Sequence, residues 1–141
     1  MDQRADTKRI GRHLVRLVAP GVVYIRYDGD LTGPEAKSVS EHMAAWTQDR
    51  DCTYMADITN LGTLGPEARK ELGAGRGEAV TDRAVTIKIV FIGATMRTKV
   101  LMSVILAAAR MLSNYKLEQH YFPHTSAAAS WAGLDPALLV P

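Results

Sequence analysis

The stretch YMADITNLGTLGPEARKEL, Tyr54 to Leu72, sets an acid, hydroxyls and an amide between an apolar run and a helix start. Asp57 ends the run, Thr59 and Asn60 follow, glycines punctuate the connection, and Pro66-Glu67 opens a helix. Such a loop can hold a phosphate, carry a switch or only turn the chain. In open α/β sheets the carboxyl end of a strand is where ligands bind. The Gly-x-x-x-x-Gly-Lys-Ser/Thr of a nucleotide loop is missing. The plainer reading has Asp57 and Thr59 accepting hydrogen bonds from the loop's own amides, with ligand or partner contact second. Arg97 and Lys99 lie between a later strand and its helix and share this edge with Asp57, Asp28 and Asp30. Cations beside a helix N-terminus suit an anion. A solvated helix start is the simpler account.

No other grouping forms a recognisable catalytic set, and no enzyme is expected. His120 and His124 flank YFP. Strand alternation and Pro123 separate them, and no cysteine or carboxylate cluster accompanies them, so no metal site is expected. His13 and His42 stand alone. Gly73-Ala74-Gly75-Arg76-Gly77 follows a helix instead of a strand and has the wrong spacing for a dinucleotide fingerprint, so no cofactor is expected. Cys52 is the only cysteine. That rules out an internal disulfide and fits a reducing, cytoplasmic setting.

The elements that must position these residues follow from periodicity. His13–Val18 and Val22–Tyr27 read as strands joined at Pro20-Gly21, an antiparallel hairpin. A helix is predicted from about Pro34 to Gln48, on the recurrence of Ala36, Val39, Met43 and Trp46. CTYMADI is a third strand, and Pro66 starts a second helix that Gly73, Gly75 and Gly77 should bend or fray. Val85–Ile92 is the fourth strand and Leu117–Phe122 the fifth. A third helix spans RTKVLMSVILAAARML, and a last one follows Thr125 or Ser126 as N-cap. Residues 1–10 read as a flexible tail and 11–141 as one domain. Alternating strands and helices imply a mainly parallel sheet.

With 141 residues and a net charge of +2, the chain suits one globular domain without a basic block for nucleic acid. The N-terminus lacks a signal peptide's apolar centre. Val100 to Leu112 is too short to cross a bilayer, which needs about 20 residues.

The third helix is the most informative element. Its apolar positions exceed the roughly 100° arc that covering a sheet requires. Burial against a neighbouring helix is the plain explanation. A homodimer or partner interface is the next, with Leu101, Met102 and Leu106 as candidate positions.

The layout resembles the STAS fold of anti-sigma-factor antagonists, and more closely the SpoIIAA-like family, from about Leu14 to Leu134. Asp57-Ile58-Thr59, Leu61 and Gly65-Pro66-Glu67-Ala68-Arg69 are similar to that family's D-[LIV]-[ST]…[ST]-P-E-A-R passage. IKIVFIGATMR and YFPHTSAAASWAGL are similar to its glycine-ended strand and its closing strand and helix. The resemblance implies an α/β domain of about five strands, mainly parallel behind an antiparallel hairpin, with about four helices. It also implies a non-enzymatic interaction or regulatory module. The serine of regulatory members falls on Gly65-Pro66-Glu67-Ala68, where no hydroxyl stands, so the phosphoswitch does not carry over. Thr63 lies outside the matching position. Related sheets in CRAL-TRIO lipid-transfer domains imply an alternative, a carrier or sensor of a small apolar or lipid-like ligand.

Overall fold

The computed structural model describes residues 6–47, 50–74, 85–112 and 116–139. Its strands are β1 (Thr7–Ile10), β2 (His13–Ala19), β3 (Val22–Leu31), β4 (Cys52–Leu64), β5 (Thr86–Ile92) and β6 (Lys116–Phe122). Its helices are α1 (Gly33–Thr47), α2 (Pro66–Ala74), α3 (Met96–Leu112) and α4 (Thr125–Ala132), followed by a 3-10 turn at Pro136–Leu139. The six strands lie side by side in chain order. β1, β2 and β3 pair antiparallel, and β3 to β6 pair parallel.

This is an α/β sheet of six strands where sequence led us to expect about five. The extra strand comes from the segment read as a tail. Thr7–Ile10 pairs with His13–Arg16. Arg16 Nε donates to Thr7 Oγ1 at 3.1 Å, and half-buried Ile10 packs on the core. The charged side chains of Lys8 and Arg9 hid a backbone that only needed a neighbouring strand. The expected hairpin is present, turning at Pro20-Gly21.

The connection after Asp57 is a second difference. It is not a loop. β4 runs on to Leu64 because β3 extends to Leu31 and keeps offering hydrogen-bond partners, Asp28 beside Asn60 and Leu31 beside Leu64. Irregularities between Arg26 and Asp28 and between Gly29 and Leu31 absorb the changes of register. Asp30 Oδ1 accepts the Thr63 N–H at 2.7 Å, fastening the extension.

The helices begin where chemistry demands. Thr32 and Glu35 form a capping box. Thr32 N–H donates to Glu35 Oε1 at 3.0 Å, and Glu35 N–H donates to Thr32 Oγ1 at 3.3 Å. That contact with the Thr32 amide, ahead of every other influence, holds the Glu35 carboxyl below its ordinary range. Thr95 and Thr98 exchange the same pair of bonds at the start of α3, at 2.7 and 3.2 Å. His124, not Thr125 or Ser126, is the extended residue before α4, and its Nδ1 meets Ser126 Oγ at 2.9 Å. Gly133 closes α4 with φ at 70°, a conformation that favours glycine. α2 ends at Ala74. Gly75 and Gly77, which were expected to fray it, lie outside the described residues.

Two cores result. α1, α2 and α3 cover one face of the sheet over Val23, Ile25, Tyr54, Ala56 and Phe91. α4 and the 3-10 turn cover the other over Leu14, Tyr24, Met55, Val90 and Ile92. Among the described residues no helix is long and apolar enough to cross a membrane.

Candidate functional site

Asp57 sits part-way along β4, half-buried, with Arg26 of β3 and Ile92 of β5 as its strand neighbours. Its carboxylate is already occupied. Oδ1 accepts from the Thr59 N–H at 3.1 Å and from Thr59 Oγ1 at 2.7 Å, and Oδ2 accepts from Tyr24 Oη at 3.4 Å. The expected contact between Asp57 and a following amide is therefore present. Its second partner, a tyrosine from the neighbouring strand, had no signal in the sequence. Burial first, and then the Asp57 charge, push the Tyr24 phenol well above its usual range. A phenol held neutral beside a carboxylate serves as a hydrogen-bond donor and not as a base.

Thr59 is exposed and leans on Gly93, where β5 ends. A side chain at Gly93 would collide with Thr59, and its φ of 73° favours glycine as well. Asn60 is exposed beside Asp28. Arg97 is exposed in the first turn of α3, and no ion pair or hydrogen bond joins it to Asp57. Lys99 turns away from this edge, and its Nζ lies 5.4 Å from the ring centroid of Tyr121 on β6. The five residues grouped at one strand edge thus divide. Asp57 and Thr59 form a closed pair, Asn60 and Arg97 stand in solvent, and Lys99 joins α3 to β6.

Lys99 has company there. Turned so that its oxygen faces Arg110, the Gln119 amide accepts from Arg110 Nη2 and Nη1 at 3.0 and 3.1 Å and donates to Tyr121 Oη at 3.0 Å. Arg110 Nη2 also donates to the Leu117 carbonyl at 3.3 Å. The polar side of α3 is in this way bound to the last strand.

The chain matches no family model and no curated protein. Its site must be read from its own geometry.

That geometry is clearest on α3. Met102, Ile105, Leu106 and Ala109 turn into the core, and Leu101 is half-buried. Met102 and Leu106, taken from sequence as interface positions, are core residues, 5% and 6% exposed. The reason is helical phase: a 100° step per residue sets these two over β5 and β6, and only contacts with the sheet reveal which part of a broad apolar arc faces inward. The surplus lies diametrically opposite. Val100 is 59% exposed, Val104 64% and Met111 86%, with Ala107 exposed between them. Met96 extends the stripe toward the N-terminus of the helix at 76%.

A second feature lies beneath the helices. An apolar cavity of about 110 Å³ separates the sheet from α1, α2 and α3. Ile25, Tyr54 and Phe91 contribute to its floor, and Met43, Leu72 and Met102 to its roof. Neither Asp57 nor Arg97 reaches it.

The histidines serve the fold. His13, read as isolated, is 1% exposed and ties the β3–α1 connection together. Its Nδ1 accepts the Asp28 N–H at 3.0 Å, so its Nε2 carries the proton and donates to the Asp30 carbonyl at 3.1 Å. His120 lies against Trp131, ring centroids 4.6 Å apart, and its buried Nε2 has no hydrogen-bond partner among the described residues. His124 is spent on Ser126. Among the described residues no group of three or more His, Cys, Asp or Glu is placed to hold a metal. Cys52 is buried.

Proposed function

We propose that this protein is a non-enzymatic binding and regulatory module of the SpoIIAA-like, STAS type, and that it pairs through the outer face of α3 with a second copy of itself. The exposed apolar stripe on α3 carries this reading. A helix lying on a sheet gains nothing from apolar residues on its far side, and contiguous exposed apolar surface of this kind marks interaction sites. The spacing favours a second copy as partner. Val100, Val104, Ala107 and Met111 follow one another at four, three and four residues, the interval at which one helix meets another as knobs and holes. A two-fold axis would set the stripe against itself, and the small Ala107 would let the helices approach closely. Sequential strand order and three helices on one face support the SpoIIAA-like assignment.

An interface built on one 17-residue helix belongs at the small end of the specific range, so association is expected in the micromolar regime. Sedimentation at rising concentration checks this. A dimer that Val104→Asp converts to monomer, with the fold intact, is the expected result. A wild-type protein still monomeric at high micromolar concentration would end the reading.

The cavity supports a second reading, a carrier or sensor of a small apolar or lipid-like ligand. It is a well-formed apolar space with few polar groups, the common character of small-molecule sites.

A further inference from the structure

The cavity beneath α1, α2 and α3 has a more particular chemistry than its apolar lining suggests. Among the described residues that line it, Tyr27, Ser40 and Tyr54 carry hydroxyls. Tyr54 Oη is satisfied by Thr47 Oγ1 at 2.7 Å, and that hydroxyl bonds onward to the Met43 carbonyl at 2.6 Å. Tyr27 and Ser40 are different. Tyr27 rises from β3 and is 6% exposed, Ser40 descends from α1 and is 9% exposed, and neither hydroxyl has a hydrogen-bond partner among the described residues. Burial alone pushes the Tyr27 phenol above its usual range, with no neighbouring charge involved. Buried hydroxyls normally find partners, because leaving one unpaired forfeits the bond it made to water. Neither oxygen is sealed off, since among the described residues the fully buried polar side-chain atom without a partner is His120 Nε2, so both hydroxyls keep contact with open space and are free to bond an occupant of the cavity.

The size and charge of the space restrict that occupant. An apolar cavity of roughly 150 Å³ accepts benzene, and this one measures about 110 Å³. A single small ring or a short branched chain fits, and a fatty acyl chain does not. Among the described residues no Lys, Arg, His, Asp or Glu lines the wall. An ionised head group would therefore be buried without a counter-charge, which is prohibitive.

We infer that the cavity is a binding site for a neutral, ring-sized molecule that carries one hydroxyl or carbonyl oxygen, with Tyr27 and Ser40 as the groups that recognise that oxygen. This rests on the carrier or sensor reading above and narrows it away from lipids.

Benzene, phenol and benzoate test it, titrated into the full chain and followed by the methyl NMR signals of Met43 and Met102, both of which line the cavity. In an apolar cavity without partners, the hydroxyl of phenol lowers affinity relative to benzene, by about ten-fold or more. The expected result here is phenol bound at least as tightly as benzene, with benzoate not bound. Tyr27→Phe should weaken phenol about ten-fold, the order of one lost buried hydrogen bond, and leave benzene within about two-fold. Ser40→Ala, which removes a single oxygen, provides a second variant should Tyr27→Phe fail to fold, and it should weaken phenol selectively in the same way. Phenol weaker than benzene, phenol indifferent to both substitutions, or benzoate bound would each overturn the inference while leaving an apolar carrier standing. If none of the three shifts the methionine signals, the cavity does not open to ligands and the carrier reading falls with it.

Discussion

The strand extension around Asp57 and the outer face of α3 are opposites in how their side chains are used. At Asp57 every oxygen of the carboxylate has a partner within the chain, from Thr59 and from Tyr24. On α3, Val100, Val104 and Met111 stand largely in solvent, without a covering neighbour among the described residues. The polar cluster resembles a site in its residue types, yet its hydrogen bonds are spent on holding β3 and β4 together. The apolar stripe has no chemistry to offer, yet it is the surface left unsatisfied. Residue type alone is a poor guide to function when saturation is ignored. A group whose interactions are complete is scaffold, and a group whose interactions are missing points to something outside the chain.

The sharpest way to break this comparison is at α3. Val104→Asp sets a charge at the centre of the stripe and should weaken self-association by several kcal/mol, as for an unpaired charge at an interface core. Because Val104 faces solvent in the monomer, thermal unfolding of the monomeric variant should stay close to that expected for a surface substitution. An equal loss of stability and association would mean that the stripe belongs to the fold.

Asp57→Ala is the converse experiment. It removes the acceptor of the exposed Thr59 amide, which water can replace, and of the hydroxyl of buried Tyr24, and stability should fall by about 1–3 kcal/mol, chiefly through Tyr24. Urea unfolding measures this, and the loss should shrink in a Tyr24→Phe background, where that hydroxyl is gone. A protein unaffected by Asp57→Ala would return Asp57 to the list of residues available for a ligand.

A smaller effect is expected at the α1 cap. Glu35 titrates below its ordinary range in the folded chain, first because of the Thr32 amide. The contribution of its charged form is therefore complete above the unfolded pKa, near 4.3, and is lost as pH falls through the lower folded value. The acid limb of a stability-against-pH curve should accordingly be shallower for Glu35→Gln than for the wild type. Overlapping limbs would remove Glu35 from the cap's energetics. The smallest effect belongs to Arg97→Ala. Arg97 is exposed and has no partner at the strand edge among the described residues, so unfolding should change by less than about 0.5 kcal/mol. A larger loss would show that the edge is held by more than Asp57 and Thr59.

Much of the architecture was legible because it rests on local rules. Pro20-Gly21 announced the hairpin, Pro34 and Pro66 announced helix starts, and TIKIVFI could only be a strand. The breadth of the apolar arc on α3 was also visible in one dimension, since it depends only on the 3.6-residue period. What sequence could not provide was pairing and phase. Thr59–Leu64 has the composition of a loop and becomes strand because β3 runs alongside it. Thr7–Ile10 has the composition of a tail and becomes strand because β2 does. Tyr24 meets Asp57, and Tyr27 and Ser40 come to share one cavity, through a strand register and a helix placement that no spacing encodes. Met102 and Val104 are equally apolar and two residues apart, and only the sheet beneath them decides that one is core and the other surface. Secondary structure follows from interactions within a few residues. Whether a polar group finds its partner, or an apolar face its cover, depends on neighbours distant in sequence, and that is settled when the chain packs.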